Sequence, residues 1–228
     1  MKKVLLIATA ALLLASCKGG GETTAEQSAT AQVSKEYNSA DLAMQELKGH
    51  VKSMEYYTYE CNEQGENPEA EAPGYEHMKF YFNFDEKGTM TNGYAYNKDI
   101  PGPKLVRGEN GQIAQIEEYF KEMNFTFVNK FYYNENGNIK SDEVLGYEAK
   151  SKTTYVYNDK GDLVSSSSSQ EGEGALTVTD ATYEIKDTDD QGNWTRRLMK
   201  STSKESRDGK VMPNTNGYVM EVRDIVYY

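Results

Sequence analysis

The sequence predicts an all-β fold: an antiparallel meander of repeated β-hairpins forming an extended, twisted sheet, with one short N-terminal helix. The first observation is a recurring turn that ends on glycine seven times, at intervals of 23, 23, 26, 24, 31 and 17 residues. A near-constant period of this size indicates an array of one structural unit. The second observation is that aromatic residues alternate just before several of these turns. The turn glycines are Gly65, Gly88, Gly111, Gly137, Gly161, Gly192 and Gly209.

The turns share a chemical pattern. Asn or Asp stands three residues before most of the glycines, in sequences such as FDEKG, YNENG and YNDKG. A side-chain oxygen at that position can accept a hydrogen bond from the backbone two residues further on. Glycine then supplies the positive φ that closes a hairpin with a bulge. Each unit is therefore predicted to be a tight hairpin connection.

Alternating aromatic residues define the strands that flank the turns. Phe80, Phe82 and Phe84 precede the second turn, and Tyr155 and Tyr157 precede the fifth. Because side chains of a strand alternate between its two faces, each set lies on one face. The predicted strands are residues 51–60, 76–84, 89–96, 112–121, 125–133, 138–147, 152–157, 175–186, 194–203 and 217–227.

Two other segments have their own signals. Ser39 is predicted to cap a short helix, with Gly49 as its C-terminal stop. The apolar residues of this helix are Leu42, Met44 and Leu47. The serine run at 165–169, followed by QEGEG, is typical of a flexible loop, part of which can extend a strand.

The N-terminal segment has the form of a lipoprotein signal. Lys2 and Lys3 precede an apolar stretch at 4–14, which is too short to span a bilayer and is typical of a signal peptide. Its Leu-Ala-Ser-Cys ending resembles the lipoprotein box of bacteria, which implies cleavage before Cys17 and acylation of that cysteine. An ordinary secretory signal with a coincidental cysteine is the alternative. Lys18 in place of Asp implies the outer membrane, on its periplasmic or its cell-surface face.

These signals divide the chain into three parts. Residues 1–16 are predicted to be the signal peptide, residues 17–38 a flexible tether, and residues 39–228 one β-hairpin repeat domain. The tether is rich in Gly, Thr, Ala, Ser, Glu and Gln, a composition that cannot bury enough apolar surface to fold.

Charge and cysteine content exclude several classes of partner and structure. The formal net charge is −11, which argues against binding to nucleic acid or to anionic lipid headgroups. Because Cys17 is predicted to carry lipid, Cys61 is left without a partner for an internal disulfide. Its place in an aromatic strand predicts a small buried apolar residue rather than a reactive thiol.

Four units carry a family resemblance: FNFDEKGTM, FYYNENGNI, YVYNDKGDL and DTDDQGNWTRR resemble the tyrosine-aspartate (YD) repeats of the RHS family. The opening LKGHVKSMEYYTY and the closing VRDIVYY also resemble small lipoproteins built from degenerate copies of that repeat. The resemblance covers essentially the whole folded part and implies a β-hairpin array. Large RHS proteins wrap many repeats around a cargo, and seven turns are too few for that role.

Residues that could support catalysis are few. His50 and His77 are the two histidines, and a histidine beside an acidic residue such as Glu76 is typical of a surface pair. Without a usable cysteine, neither a structural zinc site nor a Cys–His nucleophile is predicted. A glycosidase needs two carboxylates about 5–10 Å apart, and no spacing in the sequence selects such a pair. The prediction is that the protein is not an enzyme and needs no cofactor.

The acidic run before Gly192 is the one metal candidate. Asp187, Asp189 and Asp190 offer the oxygen ligands that hard cations prefer. The rest of a calcium loop is missing, since its twelfth position holds Leu198. The turn pattern accounts for Asp189 and Gly192 without a metal.

Eighteen tyrosines provide the remaining lead to function. A tyrosine ring suits a core as well as a half-wet binding face. The rings out of phase with the main strand pattern, Tyr81, Tyr94 and Tyr132, are predicted to face solvent and to contact a ligand. The sequence therefore predicts a non-enzymatic binding or scaffold module of the cell envelope, with a glycan or a protein as partner. An immunity-type protein with a specific protein partner and a hydrolase of envelope polysaccharide are the alternatives.

Overall fold

The computed structural model describes residues 39–228. The predicted signal peptide and the predicted tether lie outside this part. Helix α1 spans Ala40–Met44, and the Oγ atom of its N-cap Ser39 accepts a hydrogen bond from the backbone N–H of Leu42 at 3.0 Å. The predicted cap is therefore confirmed. Gly49 is not the helix stop, because the helix ends five residues earlier and Gly49, at φ +84°, lies in the link to the first strand.

The strands form a single 13-stranded antiparallel sheet within this part of the chain. Their bounds are β1 Val51–Glu60, β2 Lys79–Phe84, β3 Met90–Ala95, β4 Lys104–Arg107, β5 Ile113–Phe120, β6 Phe125–Tyr133, β7 Ile139–Leu145, β8 Ala149–Tyr157, β9 Leu163–Gly172, β10 Ala175–Thr188, β11 Trp194–Arg207, β12 Lys210–Val211 and β13 Thr215–Tyr227. A short 3₁₀ helix, Lys121–Met123, connects β5 to β6. The predicted all-β meander with one short helix is confirmed.

Three of the strands, β4, β9 and β12, have no counterpart among the predicted strands. Strand β9 contains the whole serine run, which the sequence predicted to be a flexible loop with a part that can extend a strand. Ser165 pairs with Val156 of β8 on one side and with Thr182 of β10 on the other. The backbone ladder on both sides decides the conformation, because serine offers no side-chain preference strong enough to oppose it.

The strand order is β3-β2-β1-β13-β11-β10-β9-β8-β7-β6-β5-β4, with β12 paired to β11 outside this path. Consecutive strands pair except at β3–β4 and at β12–β13, and β1 pairs with the last strand, β13, instead of lying at an edge. In that pairing Tyr56 lies opposite Arg223, and Tyr57 lies opposite Val222. The first and last strands therefore pair inside the sheet, and β3 and β4 become its edges.

The sheet curls so that these two edges approach each other. The backbone N–H of Gly102 donates to Oδ1 of Asn92 at 2.6 Å, which links the β3–β4 loop to β3. Arg107 of β4 donates to both carboxylate oxygens of Asp41 in α1, at 2.9 and 2.7 Å. The same carboxylate accepts the backbone N–H of Met90, at the start of β3, at 2.6 Å. Helix α1 therefore ties the two edges together.

Five of the repeated turns lie at one end of the sheet, because they connect alternate strand pairs of the meander. In the first of them, Oδ1 of Asp85 accepts the backbone N–H groups of Lys87 and Thr89 at 2.9 and 2.8 Å. The N–H of Gly88 donates to the carbonyl of Asp85 at 2.8 Å. The same hydrogen bonds recur at this end in the turns that begin at Asn134, Asn158 and Asp189, and at the opposite end of the sheet in the turn that begins at Asn62, after β1.

The last predicted turn differs from the others. Asp208 and Gly209 both have positive φ, +50° and +75°, which is typical of a two-residue hairpin connection. It joins β11 to the short strand β12. The repeated unit therefore ends with the turn at Gly192.

Apolar packing occurs on both faces of the sheet. The main core lies inside the curl, where α1 residues pack on residues from both halves of the sheet. Its buried members include Leu42, Met54, Phe82, Met90, Ile113 and Phe131. A smaller cluster of Leu198, Met220 and Val222 lies on the outer face, under Tyr57, Tyr59 and Cys61.

Candidate functional site

A cavity of about 380 Å³ lies inside the curl, next to α1. Strands from both halves of the sheet contribute to its wall, and Gln45 and Glu46, which follow α1, contribute from one end. The apolar part of the wall is Met44, Met54, Phe80, Phe82, Ile139 and Leu163. The polar part is Tyr56, Tyr94, Tyr155, Tyr157, Tyr183, Arg197, Glu221 and Arg223.

Arg197 of β11 is held between two carboxylates. Its Nε atom donates to Glu221 at 2.6 Å, and its Nη1 atom donates to both oxygens of Glu46 at 3.0 and 3.1 Å. The side chain of Arg197 is only 6% exposed. Burial alone would lower the pKa of this arginine, but the two adjacent carboxylates outweigh burial and raise it. Arg197 therefore ties Glu46, in the segment that follows α1, to the sheet.

Arg223 of β13 lies beside this group but makes none of its hydrogen bonds. It is 6% exposed, and its Nε and Nη1 atoms are buried without a hydrogen-bond partner among residues 39–228. Its guanidinium carbon lies 3.5 Å from the ring centroid of Trp194, and that of Arg197 lies 4.1 Å from the same centroid. Burial lowers the pKa of Arg223 to about 10, so the side chain stays charged at neutral pH.

The tyrosines of the wall present neutral hydroxyl groups. Burial raises the pKa of Tyr94 to about 12, and it also raises the pKa values of Tyr155, Tyr157 and Tyr183. The hydroxyl of Tyr94 accepts a hydrogen bond from Nε2 of Gln45 at 3.0 Å. The cavity therefore combines apolar rings with hydroxyl groups that can donate or accept a hydrogen bond at neutral pH.

A second polar cluster faces the interior from β6, β7 and β8. Asp142 is 8% exposed, and its Oδ2 atom accepts a hydrogen bond from Asn129 at 3.3 Å. The Oδ1 atoms of Asp142 and Asn129 are buried without a partner within residues 39–228. Burial raises the pKa of Asp142. Hydrogen-bonding groups on Thr153, Asn129 and Tyr155 lower this pKa, but burial has the larger effect.

Hydroxyl side chains extend this interior surface away from α1. The strand register places Thr153, Ser168, Thr179 and Ser203 side by side on neighbouring strands. Thr179 and Ser203 share a hydrogen bond between their hydroxyl groups at 2.8 Å. All four residues are half-buried, so solvent reaches the inner face on this side.

The three tyrosines predicted to contact a ligand do not lie together. Tyr132 is 45% exposed on the outer face, where its hydroxyl donates to Glu143 at 3.2 Å. Tyr81 is half-buried on β2. Tyr94 does not face solvent as predicted but lines the cavity, with its ring centroid 4.8 Å from that of Phe82. A register shift between β2 and β3, together with a φ of +57° at Tyr94, reverses the alternation that the prediction assumed.

The acidic run before Gly192 serves the turn. Oδ1 of Asp189 accepts backbone N–H groups of the turn, and its Oδ2 accepts the hydroxyl of Tyr227. Asp187 lies 3.8 Å from Nε of Arg196, and Asp190 is exposed. Within residues 39–228, no group of three or more His, Cys, Asp or Glu side chains is arranged to hold a metal ion.

The two histidines and Cys61 lie away from the cavity. The ring of His77 stacks on Tyr57 with 4.4 Å between centroids, and Nε2 of His50 lies 3.0 Å from the carbonyl oxygen of Glu86. Cys61 is half-buried in the outer-face cluster, where burial raises the pKa of its thiol.

The charged residues of the cavity were not among the functional residues predicted from the sequence: Glu46, Arg197, Glu221 and Arg223. A signal for two of them was present in β13. Glu221 and Arg223 stand two residues apart in MEVRDIV, and they share a face with Ile225. Charged residues in the inward phase of a strand are rare unless they are paired or functional.

Comparisons of the chain with protein-family models, with curated proteins and with solved structures found no match. In the described part of the chain, no helix is long and apolar enough to cross a membrane.

Proposed function

We propose that this protein is a non-enzymatic binding module of the cell envelope, and that the cavity next to α1 is its binding site for a small molecule. One observation carries the proposal: rings, hydroxyl groups and charged groups converge on a cavity of about 380 Å³. Ligand sites in proteins are typically concave, mostly apolar and about 300–1,000 Å³ in volume, with a few placed polar groups.

The non-enzymatic character of the proposal is supported by the state of the two cavity carboxylates. Both oxygens of Glu46 accept hydrogen bonds from Arg197. Glu221 accepts hydrogen bonds from Arg197 and from the hydroxyl of Tyr56, at 2.6 and 2.9 Å. A general acid or base needs a free oxygen within reach of substrate, and these carboxylates serve as structural anchors.

The envelope location and the repeat family are part of the same proposal. The Leu-Ala-Ser-Cys sequence supports a lipid anchor at Cys17 in the outer membrane. Five turns with one hydrogen-bond pattern support a description as degenerate YD repeats. Replacing Cys17 by Ala should release the protein from the membrane fraction or leave its signal uncleaved. An unchanged fractionation, with no lipid on the N-terminal peptide by mass spectrometry, would contradict the anchor.

Trp194 makes the binding proposal testable. It is the single tryptophan of the chain, and both cavity arginines stack on its ring. Small molecules extracted from the cell envelope are fractionated and titrated into the mature protein while its tryptophan emission is recorded. We expect at least one fraction to change the emission saturably.

Two variants test whether such a response comes from the cavity. The Tyr183→Ala variant removes a ring from the wall and should weaken the response at least tenfold. The Tyr132→Ala variant alters an exposed ring on the outer face and should leave it unchanged. If no fraction gives a saturable response, or if both variants respond like the wild type, the cavity is not the binding site.

A further inference from the structure

Arg223 is the group in the cavity whose bonding is incomplete. Its Nε and Nη1 atoms are buried without partners among residues 39–228, and no hydrogen bond joins the side chain to any residue of this range. A buried cation is costly unless it is paired and hydrogen-bonded. The stack on Trp194 stabilises the guanidinium through its face, but it leaves the N–H groups at the edge of the guanidinium without acceptors.

The neighbouring carboxylates do not supply those acceptors. Glu46 and Glu221 lie close enough for their charges to act on Arg223, but their oxygens are engaged by Arg197, by Tyr56 and by the backbone N–H of Leu163. Of the two cavity arginines, Arg197 therefore has a structural role, and the N–H groups of Arg223 are left available for a bound ligand.

We infer that Arg223 recognises a single carboxylate on a small, largely apolar organic acid that binds in the cavity. This inference rests on the proposed function and names its ligand class. A guanidinium binds a carboxylate through charge-assisted hydrogen bonds, with a geometry that favours the planar group. The ligand would thereby supply the acceptors that Arg223 lacks.

The fixed charges around Arg223 restrict the charge of the ligand. Glu46, Glu221 and the more distant Asp142 are acidic groups facing the same interior, and Arg197 is already shared between the first two. Arg197 and Arg223 together balance the charges of Glu46 and Glu221, so a ligand with one negative charge leaves one net negative charge in the site, which its hydrogen bonds to Arg223 offset. A phosphate ester or a dicarboxylate adds a second negative charge next to these carboxylates, and like charges in a poorly solvated site repel strongly.

The apolar wall defines the rest of the ligand. Phe80, Phe82, Met54, Ile139 and Leu163 offer rings and aliphatic groups to a body without charge. Tyrosine rings add flat surfaces on which an aromatic ring can stack. An aromatic monocarboxylic acid satisfies both the arginine and the wall, so phenylacetate is the simplest probe.

The test compares phenylacetate with its neutral isostere phenylacetamide and with phenyl phosphate. Tryptophan emission and calorimetry measure the affinity of the mature protein for each compound. We expect phenylacetate to bind at least tenfold more tightly than phenylacetamide and more tightly than phenyl phosphate. Equal binding of the acid and the amide would overturn the inference, and so would a preference for phenyl phosphate.

The Arg223→Met variant keeps the length of the side chain and removes its charge. We expect the variant to lose the preference for the acid while its affinity for the amide changes less than threefold. The control is Arg196→Met, which removes a neighbouring arginine that pairs with Glu71 outside the cavity, and it should keep the preference. If Arg223 were structural, its replacement would lower the unfolding temperature. We expect the temperature to stay the same or to rise, because an unpaired buried charge is removed.

The outcomes separate this inference from the proposed function. If envelope fractions change the tryptophan emission but none of the three probes binds, the cavity binds a ligand of another class and the inference is wrong. If neither fractions nor probes give a response, both proposals fail. Should Arg223→Met not fold, the comparison of acid and amide on the wild-type protein decides by itself.

Discussion

Buried polar groups at the α1 end of the sheet differ in their hydrogen bonding from those in the interior next to it. At the α1 end, Asp41 is 2% exposed and accepts hydrogen bonds from Arg107 and from the backbone of Met90. Asn193 is 1% exposed and exchanges hydrogen bonds with both backbone groups of Lys48. In the interior, atoms of Arg223 and Asp142 are buried without partners among residues 39–228.

This difference supports the proposal that the interior, rather than the α1 end, is the region that binds a ligand. A buried polar atom without a partner costs about 1–3 kcal/mol, so a region shaped by stability alone would not keep several of them. Positions at which a fold departs from a general rule of stability, such as the pairing of buried polar atoms, are expected to be functional sites. The α1 end closes the fold, and the interior holds the groups that a ligand can satisfy.

The largest effect is expected at the α1 end. Leu42 is 1% exposed and packs in the main core. The Leu42→Ala substitution should lower the free energy of unfolding by about 3 kcal/mol, because it removes buried methyl groups and leaves a cavity. Chemical denaturation monitored by circular dichroism measures this change. A loss below about 1 kcal/mol would show that α1 is not an integral part of the core.

Substitution of two turn glycines should cause a smaller loss of stability, and the two positions can be compared directly with each other. Gly88 and Gly161 occupy the same position of the same turn, with φ of +78° and +82°. A Cβ atom at Gly88 would lie 2.7 Å from Leu42 of α1, whereas a Cβ atom at Gly161 would meet nothing within 4 Å. Replacement by Ala should cost about 1–2 kcal/mol at Gly161 through left-handed strain alone, and clearly more at Gly88.

Thermal unfolding of the two glycine variants tests whether the turns support α1. Gly108→Ala is the control, because Gly108 lacks a positive φ, and it should have the smallest effect of the three. Equal losses at Gly88 and Gly161 would mean that the contact with α1 contributes nothing to stability.

The smallest effect on the free energy of unfolding is expected for Asp142 in the interior, where the substitution should stabilise the protein instead of destabilising it. Burial raises the pKa of Asp142 in the folded protein above that of the unfolded chain. The folded state therefore binds the proton more tightly, so Asp142 destabilises the fold as pH rises through and above the ordinary aspartate range near 4. Asp142→Asn should stabilise the protein at pH 7 and have little effect near pH 3.

Unfolding free energies measured across this pH range test the prediction for Asp142. Asp180→Asn is the matched control, since Asp180 is exposed on β10 and accepts a hydrogen bond from Ser167 at the surface. A destabilised Asp142→Asn variant at pH 7 would show that the hydrogen bonds to this carboxylate, such as that from Asn129, outweigh the cost of its burial.

Much of the architecture follows from local sequence. Asn or Asp followed three residues later by Gly specifies a turn through hydrogen bonds that span at most four residues, so Gly88, Gly137 and Gly161 have the predicted positive φ. The capping of α1 by Ser39 is equally local. Strand β9 was missed because serine carries no strand signal of its own, and only the ladders to β8 and β10 hold it.

The cavity depends on contacts that the sequence does not encode locally. The pairing of β1 with β13 brings Tyr56 opposite Arg223, although 165 residues separate Tyr56 from the Glu221 that accepts its hydroxyl. A register shift between β2 and β3 moves Tyr94 from the outer to the inner face. The sequence by itself determined the repeated hairpins, the capped helix and the aromatic strands, because their hydrogen bonds and periodicities are short-range. Only the tertiary structure decided which charged side chains are buried together, because burial depends on how the sheet curls around α1.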